Sequence, residues 1–190
     1  MPRIARHAAF SLLLAWAAAF APLPAQGAQA FLNNIVLTNA DSQLLIYFTI
    51  EGAFPSRMDE AVMSGSAVTF DIYVSLYRNR ALWMDKKIAD RTVTHTLRYD
   101  VKKKLFIVVR SESPSAPVVT HSFEEAKKSM AEVSSLAVCP LSRLHKGSPY
   151  EVKAKAVLER VEPPLHLRAI LYFVSLWDFE TDWYTISFNY

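Results

Sequence analysis

Cysteine and glycine are both scarce in this chain: Cys139 is the only thiol, and just four of the 190 residues are glycine. One thiol can form neither an intramolecular disulfide nor a multi-cysteine zinc site. Four isolated glycines exclude a collagen-type repeat, a glycine-rich linker and the loops that cradle phosphate. There is no G-x-S-x-G nucleophile turn, and no two histidines stand three or four residues apart. What the chain does have is apolar and aromatic side chains, at 52% and 12%, mixed with 21% charged residues. That mixture excludes intrinsic disorder and suits a domain held together by packing alone.

The first thirty residues have their own grammar. Arg3 and Arg6 precede an acid-free apolar run, Ala8 to Ala21, which Pro22 and Pro24 end before Ala28-Gln29-Ala30. A positive start, an apolar stretch and small residues two apart are the parts of a secretory signal peptide. Cleavage is expected after Ala30, giving a signal over 1–30 and a single domain over 31–190. The run is shorter than the roughly 20 residues that span a bilayer, so a periplasmic protein is expected, with an uncleaved inner-membrane anchor as the alternative. Loss of Arg3 and Arg6 leaves 19 basic against 18 acidic residues, a net charge of +1 in place of +3. A domain so nearly neutral offers no electrostatic case for nucleic acid.

Beyond residue 30 the dominant rhythm is two. Residues 35–38 and 43–50 are β-rich and flank Asn39-Ala40-Asp41-Ser42, which predicts a hairpin. Val68, Phe70, Ile72, Val74 and Leu76 alternate with polar or phenolic residues, as do 87–99, 150–159 and the aromatic end from Trp183 to Phe188. Residues 105–110 follow a Lys-rich turn at 100–104, and 111–117, with two prolines, reads as a loop. A short helix is expected from Ser56 to Gly65, capped by Ser56 or Asp59. Ser122-Phe123-Glu124-Glu125 is a capping box that opens a helix predicted over 123–134. Residues 165–176 suit either a buried strand or a core helix. The fold class expected is mainly β: an antiparallel sandwich of seven or eight strands, immunoglobulin-like in general architecture, with one inserted α-helix and a short helical turn. A membrane barrel suits the aromatic final strand, but the continuous apolar run at 169–174 lacks a lumen face.

The residues that could carry chemistry are few. His95 shares a strand side with Val93 and Leu97, which suits a satisfied core histidine better than a catalyst. Cys139, in an apolar run before Pro140, reads as a small buried hydrophobe. Asp178, Glu180 and Asp182 have period-two spacing that could face Ca²⁺ or simply solvent. Recognition residues are more plentiful. Arg78, Arg80, Lys86, Lys87 and Lys102-Lys103-Lys104 should collect around hairpin turns, where they guard sheet edges or meet an anionic surface. Trp83, Trp177 and Trp183 could line a groove for a partner or ligand.

Phe70-Asp71-Ile72-Tyr73-Val74-Ser75-Leu76-Tyr77-Arg78, Trp83-Met84-Asp85-Lys86-Lys87-Ile88-Ala89, Tyr99-Asp100, Ser122-Phe123-Glu124-Glu125-Ala126 and Trp177-Asp178-Phe179-Glu180-Thr181-Asp182-Trp183-Tyr184 together resemble domain-of-unknown-function family 4390. The resemblance spans essentially everything after the signal. It implies an exported bacterial protein with no assigned activity, in an envelope-signalling setting, and supplies no catalytic residue. The expected function is a non-catalytic binding or adaptor module of the envelope, not an enzyme, that uses Trp83, Trp177, Trp183, Arg78, Arg80, Lys86 and Lys87. No cofactor or metal is expected. Its partner would be an envelope or membrane protein, with peripheral contact to an anionic membrane surface as a further option. The alternatives are a periplasmic lipid or small-molecule carrier with a cavity between its sheets and, less favoured, a hydrolase with a dispersed site.

Overall fold

The computed structural model describes residues 30–162 and 180–190. The signal segment, the 165–176 run, His166, Trp177 and Asp178 lie outside the described residues. Among the described residues, nine strands form two antiparallel sheets. A three-stranded sheet has the order β1-β2-β7, built from β1 (Phe31–Ala40), β2 (Gln43–Glu51) and β7 (Glu132–Pro140). A six-stranded sheet has the order β6-β5-β4-β3-β8-β9, from β3 (Ala67–Arg78), β4 (Lys86–Asp100), β5 (Leu105–Arg110), β6 (Val118–Thr120), β8 (Pro149–Glu162) and β9 (Tyr184–Asn189). The mainly β, two-sheet antiparallel architecture expected from the period-two rhythm is the one observed.

Turn chemistry sets the first hairpin. Ala40 pairs with Gln43, and the two residues between them, Asp41 and Ser42, both have positive φ, 49° and 63°. This is the two-residue turn whose twist matches that of its strands. β2 then alternates without a fault, and Leu44, Ile46, Phe48 and Ile50 turn inward. In β3 the inward set is Val68, Phe70, Ile72, Val74 and Leu76, and across from it Val93, His95 and Leu97 of β4 and Val152, Ala154 and Ala156 of β8 complete the inner face. Apart from His95, these side chains, from both sheets, belong to one buried apolar cluster.

Two short helices pack at one end of this core, where Lys127 of the second reaches Asp59 of the first at 3.2 Å. α1 (Ser56–Met63) buries Met58, Ala61 and Val62. Its N-cap is Pro55, with no side-chain hydrogen bond, and not Ser56 or Asp59 as expected. The proline ring fixes φ at the entry to the helix, and the Pro55 carbonyl accepts from the Met58 N–H at 2.8 Å, so the helix starts by backbone conformation instead of by a side-chain cap. The expected stop is present. Gly65 sits at φ 90°, its N–H donates to the Val62 carbonyl and the Ser66 N–H donates to that of Ala61, the Schellman pattern that glycine permits. α2 (Phe123–Ala131) is capped as expected, with the Ser122 hydroxyl accepting from the Glu125 N–H.

The helix predicted over 123–134 is shorter, however, because Glu132 already opens β7. β7 was not expected, and Ser135 explains why. At φ 55° it bulges the strand, so the inward residues change from Val133 to Leu136 and Val138, and no constant period survives. The three-residue β6 inside the Pro-rich connection was likewise not expected. These two account for the excess over seven or eight strands.

Candidate functional site

The β3–β4 connection holds the most exposed apolar side chains among the described residues. Between Arg78, which ends β3, and Lys86, which opens β4, the chain makes a loop whose neck is closed by polar contacts. The Arg80 guanidinium donates through Nε (3.0 Å) and Nη2 (2.5 Å) to the Met84 carbonyl, and the Arg80 N–H donates to Asp85 Oδ1 at 3.3 Å. The Asn79 N–H donates to the Pro149 carbonyl at 3.0 Å, so the loop leans on the start of β8. Closure of the neck pushes the intervening residues outward: Leu82 is 91% exposed, Trp83 78% and Met84 86%.

The base of this loop is cationic. Lys86 is exposed and Arg78 half-buried. Lys87 Nζ is 2.9 Å from Asp90 Oδ2, and this hydrogen bond is the main reason its ammonium is held above the ordinary lysine value. The same ammonium lies 5.6 Å from the centre of the Tyr77 ring, and Lys153, 5.5 Å from that ring, pairs with Glu151 at 3.0 Å. Tyr77 is thus flanked by two ammonium groups on the outer face of the large sheet. The turn joining β7 to β8 adds Arg143 and Lys146 at this end and no acid.

Trp183 is elsewhere. It is 51% exposed, and the Lys155 ammonium lies 5.4 Å from its ring while also pairing with Glu180. Lys155 faces Tyr73, five residues up β3 from Arg78, about 17 Å at the usual strand rise. The structure therefore brings Trp83 together with Arg78, Arg80, Lys86 and Lys87 but not with Trp183, and Trp177 is outside the described residues. Nor do the basic residues form one cluster: Lys102, Lys103 and Lys104 lie in the β4–β5 turn, at the opposite end of the sheet. Sequence reasoning missed Leu82 and Met84 at the apex and Tyr77 and Lys153 at its base. The signal was three successive apolar residues enclosed by cations in a connection.

Among the described residues, His95, Cys139 and Glu180, which the sequence singled out for chemistry, are buried or engaged by neighbours. His95 is fully buried, with Nδ1 2.8 Å from the Met130 carbonyl and Nε2 2.8 Å from Glu112 Oε1. A carbonyl can only accept, so Nδ1 carries a hydrogen and caps a last-turn carbonyl of α2. Burial opposes charge on Glu112, but its bond to His95, its own backbone N–H and Arg110 together hold its carboxyl below the usual glutamate value. Burial pushes the Cys139 thiol up, against weaker pulls from Arg143 and Arg91. Glu180, one of the three period-two acids, is engaged by Lys155. Among the described residues no group of three metal-ligating side chains converges.

Open clefts follow the seam where the edge strands β1 and β9 approach. One, of about 230 Å³, is lined by Ala30, Phe31, Leu32, Asp182, Trp183 and Tyr184. A second, of about 360 Å³, is lined by residues that include Leu37, Leu44, Leu141, Phe188 and Tyr190. The space directly between the sheets is filled by Ile46, Phe48, Phe70, Ile72 and Leu97, all essentially inaccessible.

The family model described as Domain of unknown function (DUF4390) matches residues 27–187. The chain belongs to the DUF4390 family. The match covers both sheets, both helices and the apex loop, so the resemblance read from the aromatic and basic motifs holds over the whole of this DUF4390 fold. No curated protein and no solved structure matches the chain.

Proposed function

We propose that this DUF4390 chain is a non-catalytic binding or adaptor module of the bacterial envelope, exported by its first thirty residues and working in the periplasm. One observation carries the reading: three consecutive apolar side chains, Leu82, Trp83 and Met84, stand in solvent on a loop whose neck is fixed by Arg80. Single exposed apolar residues are ordinary, but a contiguous exposed group ringed by polar ones marks an interaction site. Arg78, Lys86 and Lys87 would add charge selection, and Trp183 with Lys155 would form a second, separate contact. The engagement of His95 and the burial of Cys139 support recognition over hydrolysis.

A photo-crosslinking residue at position 82, introduced in cells, tests the proposal. Capture of one envelope component is expected, and Arg78→Glu with Lys86→Glu should weaken it while the melting temperature stays unchanged. Absence of any adduct, to protein or to lipid, at both 82 and 183 would overturn the reading. The seam clefts favour a second reading, a carrier of a small apolar molecule, which predicts a retained lipid in native mass spectra; protein that sprays without adducts counts against it.

A further inference from the structure

We infer that the β3–β4 apex docks on an anionic lipid bilayer, with Leu82, Trp83 and Met84 entering the interface and the surrounding cations meeting phosphate. The inference deepens the binding-module reading and rests on it. The argument begins with shape. The apolar residues sit on a protrusion and not in a groove, so what receives them must yield around a point, as lipid does. The layering comes next. Moving away from the apex, the side chains pass from Leu82, Trp83 and Met84 to Arg78, Arg80, Lys86 and Lys87 and, on the neighbouring turns, to Arg143 and Lys146. A bilayer surface has the complementary order, apolar within and anionic phosphate above, with tryptophan favoured at the boundary.

The charge at this end complements an anionic surface. With Lys153 the cations number seven, against Asp41, in the β1–β2 turn that the Leu141 N–H joins through Ser42, Asp85, and the base acids Asp90 and Glu151, which pair with Lys87 and Lys153, so a positive excess remains. Asp85 is itself the acceptor for the Arg80 N–H. The backbone also fits the environment. A loop entering the interface must satisfy its own polar groups, and the Met84 carbonyl already accepts twice from Arg80. One apolar group or one basic patch alone binds membranes weakly, and the two together are what makes peripheral attachment stable.

The opposite end supplies an internal control. Lys102, Lys103 and Lys104 make an equally dense cationic turn, but the exposed apolar residues near it, Val101 and Met63, are single residues from different elements and not a contiguous protruding run. If charge alone attracted lipid, both ends would bind.

The experiment is co-sedimentation of the purified protein with vesicles of phosphatidylethanolamine and phosphatidylglycerol, against vesicles of phosphatidylcholine alone. Binding is expected only to the anionic vesicles and should fall with added salt. Replacing Leu82, Trp83 and Met84 together by serine should weaken it at least about tenfold, the consequence of losing the apolar contact. Lys86→Glu with Lys87→Glu should do the same, and Lys102→Glu, Lys103→Glu and Lys104→Glu together should change it less than about twofold. Brominated lipid should quench fluorescence in the parent and not in Trp83→Phe, which keeps an apolar apex and should still sediment. Near-ultraviolet dichroism verifies that each variant is folded. No binding to anionic vesicles, or equal loss from the two ends, overturns the inference. Crosslinking of position 82 to an envelope protein without vesicle binding would also overturn it while leaving the binding-module reading intact; vesicle binding without a protein adduct would do the reverse for a protein partner.

Discussion

His95 and Glu112 show how a polar pair survives inside a fold stabilised by apolar packing. Both imidazole nitrogens have an acceptor-type neighbour, the Met130 carbonyl and the Glu112 carboxylate, each at 2.8 Å. The second Glu112 oxygen is buried without a hydrogen bond, so His95 is the side chain that holds this carboxyl in place. Glu112→Ala should leave Nε2 unpartnered and cost about 1–3 kcal/mol in urea unfolding at neutral pH. The pH dependence has a definite sign. Because the folded carboxyl is held below its ordinary value of 4.5, its contribution is present above about pH 4.5 and is lost as pH falls through the lower, folded value. Glu112→Gln should therefore flatten the acid limb of the stability curve. An unchanged slope there would show that the pair does not stabilise the fold. Asp90 and Asp100 are also held low, chiefly by the Ser75 hydroxyl and by the Lys103 N–H, but both lie in solvent where screening makes such bonds weak. The alternation in the sequence put His95 on the inward side as a satisfied core histidine, but not its pairing with Glu112. Seventeen residues separate His95 from Glu112, and only the β4–β5 register brings them together.

Among the elements, legibility follows the constancy of the inward face. β2, β3 and β8 keep one parity, so alternate side chains announce them, and Ser122 with Glu125 announces α2. β7 changes parity at Ser135 and follows α2 with no intervening turn, so its first residues continue the helical pattern. At the apex the sequence showed the cations and Trp83, but Leu82 and Met84 carried no assignment there, and only the neck contacts put them outside. The bulge is open to a direct test. Ser135 is exposed and has left-handed backbone, which costs a non-glycine residue about 1–2 kcal/mol. Ser135→Gly should relieve that strain, offset in part by unfolded-state entropy, and leave the protein at least as stable. Ser135→Val should lose about 1 kcal/mol or more, because a β-branched residue resists positive φ. If valine is tolerated in thermal unfolding as well as glycine, the bulge does not need this conformation. A second element prediction concerns the cap: Ser122→Ala should cost about 1 kcal/mol by freeing the Glu125 N–H.

For the molecule as a whole, the question is whether two sheets of unequal size behave as one unit. The three-stranded sheet cannot bury its inner face alone, and Leu44, Ile46, Phe48 and Ile50 turn toward a core shared with Phe70, Ile72 and Leu97. A polar tie crosses the same gap, with Arg91 Nε of β4 donating to the Val138 carbonyl of β7 at 3.1 Å. The only cysteine is free and buried, so no disulfide adds to this packing. Phe48→Ala, in the middle of the small sheet, should therefore destabilise by about 3–5 kcal/mol, the usual cost of deleting a buried ring. Typical total stabilities are about 5–15 kcal/mol, so the variant should approach the unfolding threshold and do so as a whole. Hydrogen exchange should accelerate at the amides of β3 and β4 as much as at those of β2, within one unfolding transition. Protection that persists in β3 and β4 while β1, β2 and β7 exchange freely would mean that the large sheet stands without the small one. In that case the apex loop, which belongs to the large sheet and rests on β8, would keep its shape in Phe48→Ala, and anionic vesicles would still sediment the variant.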